Sequence, residues 1–198
     1  GAIIFLALAP FVIYWPAALG LKTFFAYNIQ YLFYPIRFEL AQRLAQGQLP
    51  FWSTTMHGGF PLLAEGQVGA LYPLNWLLYR LLPLHIALSY SLLPHLALAG
   101  VGMYLFLRTQ NLRAAAALVG ALSFYFSGFF VAKIQHMTNL IAVGWMPWLF
   151  FCYEKFAHAR DARARRAWFA AISVVAALML LNGHPQIDFM AVSLFGLW

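Results

Sequence analysis

Apolar residues run in long blocks along this chain, and polar residues gather in the connectors between them. Residues 2–21 hold no charge until Lys22. At about 1.5 Å per residue such a run crosses a hydrocarbon core of about 30 Å, which predicts a first transmembrane helix. A signal peptide fits less well, because no small-residue cleavage site follows and Pro10, Trp15 and Pro16 interrupt the run. Four further runs, 84–107, 114–132, 137–153 and 167–181, predict further spans, and a sixth opens at Ile187 and is cut off by position 198.

Between the first two spans lies a polar stretch, 22–83. Within it Phe33, Ile36, Leu40 and Leu44 share one helical face, and Glu39, Gln42, Arg43 and Gln46 the other. With Pro35 and Gly47 where a start and a stop belong, the pattern predicts an amphipathic helix lying along a membrane surface. Glu39 and Arg43 stand four residues apart, the spacing of a solvated surface pair. Residues 47–72 follow no period, and Pro50, Gly58-Gly59 and Pro61 permit sharp turns. The aromatic residues Phe51, Trp52, Phe60 and Tyr72 predict that this loop packs as an ordered layer. Residues 74–82 are apolar but about half a span long, and with Trp76, Tyr79 and Arg80 they suit an interfacial or re-entrant position.

Composition agrees with the pattern, since 64% of the 198 residues are hydrophobic and only 9% are charged. The expected fold is an all-α integral membrane protein. It is a polytopic helical bundle forming a single membrane domain over 1–198, a fragment of a longer chain, with a long and partly helical first extracytoplasmic loop at 22–83. The net charge of +7 does not indicate nucleic acid, because the basic residues lie in short connectors rather than on one soluble face. Arg108, Arg113, Lys155, Arg160, Arg163, Arg165 and Arg166 mark two connectors as cytoplasmic. Counting back puts the N-terminus in the cytoplasm, and it puts the long loop, residues 133–136 and residues 182–186 outside. The single Cys152 reads as a buried apolar filler.

The outer side then collects Asn28, Gln30, Glu39, His57, Glu65, Gln67, Lys133, His136, His184, Gln186 and Asp188. Asp188 enters an apolar span, where a carboxylate is costly unless it is paired or faces a wet cavity; pairing with Lys133 is the plain alternative to a site role. His57 beside Gly58-Gly59 suits either a structural turn or the capture of an anionic head group, since glycines let backbone N–H groups approach phosphate. No pair of histidines has helical zinc spacing and carboxylates are few. No metal ligand set or cofactor is therefore assigned, although a divalent cation is left open. His85 and His95 read as packing residues and His158 as solvated. Gly100-Val101-Gly102 and Ser127-Gly128 read as places where helices approach closely.

The order Tyr34-Pro35, Gly47-Gln48-Leu49-Pro50-Phe51-Trp52, Gly58-Gly59-Phe60-Pro61-Leu62, Gln67-Val68-Gly69 and Tyr72-Pro73-Leu74 resembles the YfhO-like family of bacterial membrane proteins. The stretch 95–104, the stretch 124–130, Trp145-Met146-Pro147-Trp148 and Gly183-His184-Pro185-Gln186 continue the resemblance over essentially the whole chain. That family resembles the GT-C glycosyltransferases. The resemblance implies a multi-pass protein of the bacterial cytoplasmic membrane that moves a sugar from a polyprenyl-phosphate donor to an extracytoplasmic envelope glycan or lipid. Glu65, Asn28, Asp188 and Glu39 mark the catalytic positions it points to. His57, Gly58, Gly59, Gln67, Lys133, His136, His184 and Gln186 are the expected substrate contacts. Such enzymes place an acidic residue in the first outer loop, and the matching position here is Asn28, an amide that cannot act as a base. The rival expectation is a non-catalytic membrane protein that binds or transports a lipid carrier, or serves as an assembly partner.

Overall fold

A computed structural model of the chain describes residues 1–56 and 58–197. Helices dominate, and among the described residues the only strand-like pairing is an isolated bridge between Ser53 and Phe60. The first apolar run is two helical pieces rather than one span. Helix α1 (Ala2–Ile13) stops at Tyr14, and α2 (Trp15–Ala18) restarts with Pro16 in its first turn. Proline lacks the N–H that would continue the ladder, so the run breaks where the sequence places one. At 12 residues, α1 is about 18 Å long.

The loop stretch follows. A π-helical turn (Ile29–Phe33) leads into α3 (Tyr34–Ala45), and α4 (Pro73–Leu81) closes the stretch. Then come α5 (Leu84–Thr109), α6 (Ala114–Tyr125), the short α7 (Gly128–Ala132), α8 (Met137–Ala157), α9 (Ala162–Leu181) and α10 (Pro185–Leu197). Among the described residues three segments are long and apolar enough to cross a membrane: α5, the broken run Ala114–Gln135, and α9. The predicted spans at 2–21, 137–153 and 187–198 do not join that set. Helix α8 is long enough, but Thr138, Asn139, Trp145, Trp148 and Tyr153 dilute its apolar character. Helix α10 is a shorter apolar helix.

The reason α8 tolerates those residues is its place in the bundle. It packs along α5 as a central pair, with α1 and α6 against α5, and α9 and α10 against α8. Ten residues of α8 and eleven of α5 are buried, more than in any other described helix. Small residues let α5 close on both α6 and α8. A Cβ at Gly100 would lie 2.9 Å from the Tyr125 ring, and one at Gly102 would lie 2.5 Å from Trp148 Nε1. The predicted close approach at Gly100-Val101-Gly102 is therefore real, and Trp148 uses it to donate to the Leu98 carbonyl at 2.9 Å. Cys152 is buried among α8, α9 and α10 residues as expected.

The loop stretch caps one end of this pair. Ile36, Leu40 and Leu44 of α3 are buried on the predicted face, and α3 packs on α4 and α5. Leu62, Val68, Ala70 and Tyr72 are also buried, whereas Phe51 (62% exposed) and Trp52 (52% exposed) are not, so the layer packs through residues 60–72 more than through residues 51–52. One polar chain ties it to the bundle. His95 Nδ1–H donates to the Ser91 carbonyl at 2.8 Å, which leaves Nε2 to accept from the Tyr72 hydroxyl at 2.6 Å, and Trp145 Nε1–H donates to Tyr72 Oη at 2.9 Å. Burial pushes the Tyr72 phenol up to about 12, partly offset by the bond from Trp145.

Candidate functional site

The two ends of the bundle differ in chemistry. At one end Arg108, Thr109, Asn111, Glu154, Lys155 and His158 line a common pocket, so the two arginine- and lysine-bearing connectors lie together. At the other end, the loop end, contacts gather most of the residues singled out in the sequence. Thr23 donates to the His85 carbonyl at the start of α5, and Asn182 Nδ2 donates to the Thr138 carbonyl at the start of α8.

Four of the predicted site residues form a cluster there. Asn28, just before the π-helical turn, brings Nδ2 to 2.9 Å from Nδ1 of His136, which accepts. His136 caps the start of α8, directly after the 3₁₀ turn Lys133–Gln135. Burial holds the His136 imidazole below its ordinary range, and the positive fields of Lys133 and His184 lower it further. His184, in the α9–α10 turn, is lowered mainly by burial. Its Nδ1 accepts weakly from the Ile187 amide at 3.4 Å, at the start of α10. Two depressed imidazoles beside an ammonium make a region where an anion would be favoured and where its arrival would restore protons to the histidines.

A cleft of about 420 Å³ adjoins the cluster, lined by Tyr31, Leu32, Pro35, Ile36, Met56, Phe60, Glu65 and Gln67. Glu65 is half-buried there, and its carboxylate makes no hydrogen bond or ion pair among the described residues. Cleft and cluster are joined through backbone. A Cβ on Gly183 would lie 1.7 Å from the Gly66 carbonyl oxygen, and one on Gly66 would lie 2.8 Å from the Gly183 carbonyl oxygen. The turn at 66–69 thus rests directly on the turn that carries His184. Beneath it, Arg37 (0% exposed) donates from Nη2 to the Gln67 carbonyl at 3.2 Å and stacks over Tyr79 at 5.2 Å, while Asn75 Nδ2 donates to the Gly69 carbonyl at 2.9 Å. Burial pulls the Arg37 guanidinium down from its ordinary value, opposed by Tyr79, and a guanidinium stays charged regardless.

Other expected residues are placed differently. Glu39 does pair with Arg43, at 3.5 Å, but it is buried rather than solvated. Its carboxylate accepts from Ser53 Oγ at 2.5 Å and Thr55 Oγ1 at 3.1 Å, which pins the loop onto α3 and leaves it committed to structure. Asp188 is buried in the first turn of α10 and forms no pair with Lys133. The Gly59 amide donates to the Met56 carbonyl at 2.8 Å inside its own turn, so it is not a free phosphate donor. A Cβ at Gly58 would meet nothing within 4 Å. His57 lies outside the described residues. Gln186 is exposed, and its neighbour Pro185 opens α10. His158 is solvated, with Glu154 at 3.5 Å. Among the described residues no three His, Cys, Asp or Glu side chains are grouped to hold a metal.

Sequence reasoning passed over Arg37, Asn75 and Asn182. Arg37 had a usable signal, since it lies on the same helical face as Phe33, Leu40 and Leu44, where a lone arginine is out of place. Asn182 was part of a turn already marked as outer. The chain matches no protein-family model, no curated protein and no solved structure.

Proposed function

We propose that the protein is a polytopic GT-C-like membrane glycosyltransferase of the YfhO-like kind, with its loop end outside the cytoplasmic membrane and its basic connectors inside. It would move a sugar from a polyprenyl-phosphate donor to an envelope acceptor. The observation that supports this most is the pairing, at one end of the apolar helices, of a cationic cluster with a cleft that holds an uncommitted carboxylate. Lys133, His136 and His184 would face the phosphate. Glu65 would take the proton of the acceptor hydroxyl as its oxygen attacks the anomeric carbon. The carbon–oxygen bond to the carrier breaks in that step, and the polyprenyl phosphate leaves with its electron pair beside the cluster.

The geometry narrows the candidates for the base. Glu39 is held by three partners, Asn28 is an amide bonded to His136, and Asp188 is buried, whereas Glu65 lines the cleft. The test is transfer of radiolabelled sugar from a polyprenyl-phosphate donor by the full-length protein in native membranes. Glu65→Gln is expected to lower transfer by roughly a hundred- to ten-thousandfold without affecting insertion. Asn28→Asp is expected to leave transfer equal or higher. Unchanged transfer in Glu65→Gln would remove Glu65 as the base. Transfer gained only in Asn28→Asp would favour the second reading, a non-catalytic binder of a lipid carrier, which the amide at position 28 supports.

A further inference from the structure

Positive charge concentrates at the end of the bundle opposite the cleft. The two basic connectors and the first turns of α9 hold seven of the chain's twelve basic residues and only two of its five acidic ones. Arg163, Arg165 and Arg166 fall within the first five residues of α9, behind the N-cap Asp161, whose Oδ1 accepts from the Ala164 amide at 2.8 Å. A helix dipole disfavours cations at that end, so these arginines are not placed there to stabilise the helix. Arg165 lies over the Phe156 ring of α8 at 5.5 Å, which holds it against the bundle. Arg163 and Arg166 are exposed on the other side of α9. Arg166 Nε donates back to the Ala162 carbonyl at 3.3 Å, and neither arginine forms an ion pair among the described residues.

Steps of three and four residues carry that side of α9 from Arg163 and Arg166 through Ala170, Val174 and Ala177, all exposed. Trp168, Ile172, Val175 and Met179 lie on the side that packs into the bundle. Only 11% of the apolar window of α9 is buried, and the helix is long and apolar enough to cross a membrane. One outer stripe therefore carries two guanidinium groups at its head and an apolar face below them. An acidic protein or a nucleic acid would match the arginines but not the apolar continuation. An anionic phospholipid matches both, in that order, with its phosphate above its acyl chains. The arginine fork takes phosphate oxygens in pairs while its stem lies along apolar surface. We propose that Arg163 and Arg166 bind the phosphate of an anionic phospholipid whose acyl chains lie along the outer stripe of α9. The site requires α9 to meet the bilayer, and it stands whether or not the cleft transfers sugar.

The test titrates the full-length protein in detergent with phosphatidylglycerol or with phosphatidylcholine of the same acyl chains, and counts bound lipid by native mass spectrometry. Phosphatidylglycerol is expected to bind more tightly, and in nanodiscs to slow amide exchange in residues 160–167. Arg163→Gln and Arg166→Gln are each expected to weaken its binding roughly fivefold, the weight of one basic residue at an anionic surface, and added salt should narrow the preference. Lys22→Gln removes the same charge at the exposed start of the loop stretch and is expected to leave binding unchanged. Equal binding of the two lipids by the wild type would overturn the proposal without reference to any variant. An equal loss in Lys22→Gln would overturn it by reducing the preference to net charge. Protection of residues 160–167 by inorganic phosphate alone would assign the arginines to a soluble anion, and protection that follows self-association instead of lipid would assign the stripe to a second copy of the chain; either result overturns it.

Discussion

Gly183→Ala probes the joint between cleft and cluster. Gly183 has φ +87°, a left-handed conformation that costs an L-residue about 1–3 kcal/mol. The added Cβ would stand 1.7 Å from the Gly66 oxygen, whereas real contacts stay at or beyond 3.0 Å, so one turn must retreat by at least 3.0 − 1.7 = 1.3 Å. Backbone meets backbone here, and no flexible side chain can absorb the move. The bundle itself should survive, because α9 and α10 keep their packing on α8. The consequence is local: amide exchange in residues 64–69 and 182–186 should accelerate by about ten- to a hundredfold, given that about 1.4 kcal/mol corresponds to a factor of ten. Gly47→Ala separates strain from collision, since Gly47 has φ +70° but a Cβ there meets nothing within 4 Å. Exchange mass spectrometry that showed no acceleration at 64–69 in Gly183→Ala, or the same acceleration there in Gly47→Ala, would refute the contact.

Three further outcomes can be checked on the same preparation. Glu39→Ala should lower stability by about 1.5–3 kcal/mol, through the bonds its carboxylate accepts from Ser53, Thr55 and Arg43; unchanged denaturation with lost activity would instead make Glu39 catalytic. Tyr72→Phe should lower stability by about 1–3 kcal/mol, because the Trp145 N–H and the His95 Nε2 are both left without their partner, and an unchanged thermal midpoint would show that water replaces the hydroxyl. His136 and His184 are both lowered from 6.5, so between that value and their folded ones the unfolded chain binds more protons than the folded one. Stability present above pH 6.5 should therefore fall as the pH drops below it, less steeply in His136→Asn, and a midpoint independent of pH would contradict the shifts.

Periodicity made the helices legible and left the site only partly so. The buried face of α3 and the basic connectors follow from spacing and charge, because each depends on residues close in sequence. The break between α1 and α2 was written in Pro16, yet an apolar run reads as continuous when only charge is counted. Glu39 shows the deeper limit. Its spacing to Arg43 was correct, but its burial comes from Ser53 and Thr55, fourteen and sixteen residues away in the chain. Nor can local pattern show that Gly66 meets Gly183, or that Asn28 meets His136 across 108 positions. The cluster was assembled in advance only as a list of residues on one side.

The amide at position 28 changes how that cluster would work on the proposed reading. A carboxylate at 28 would pair with His136, hold its proton, and cancel part of the local positive charge before any donor arrived. Asn28 instead donates to an imidazole that burial, Lys133 and His184 keep below its ordinary range. In the resting state the two histidines hold protons less readily than free imidazoles do. A phosphate entering beside them would draw protons onto His136 and His184, so its binding would tighten as the pH falls and would take up protons from solvent. Such a site would serve a carrier-binding protein as well as an enzyme. The distinction between the two therefore rests on Glu65 in the cleft and not on the cluster.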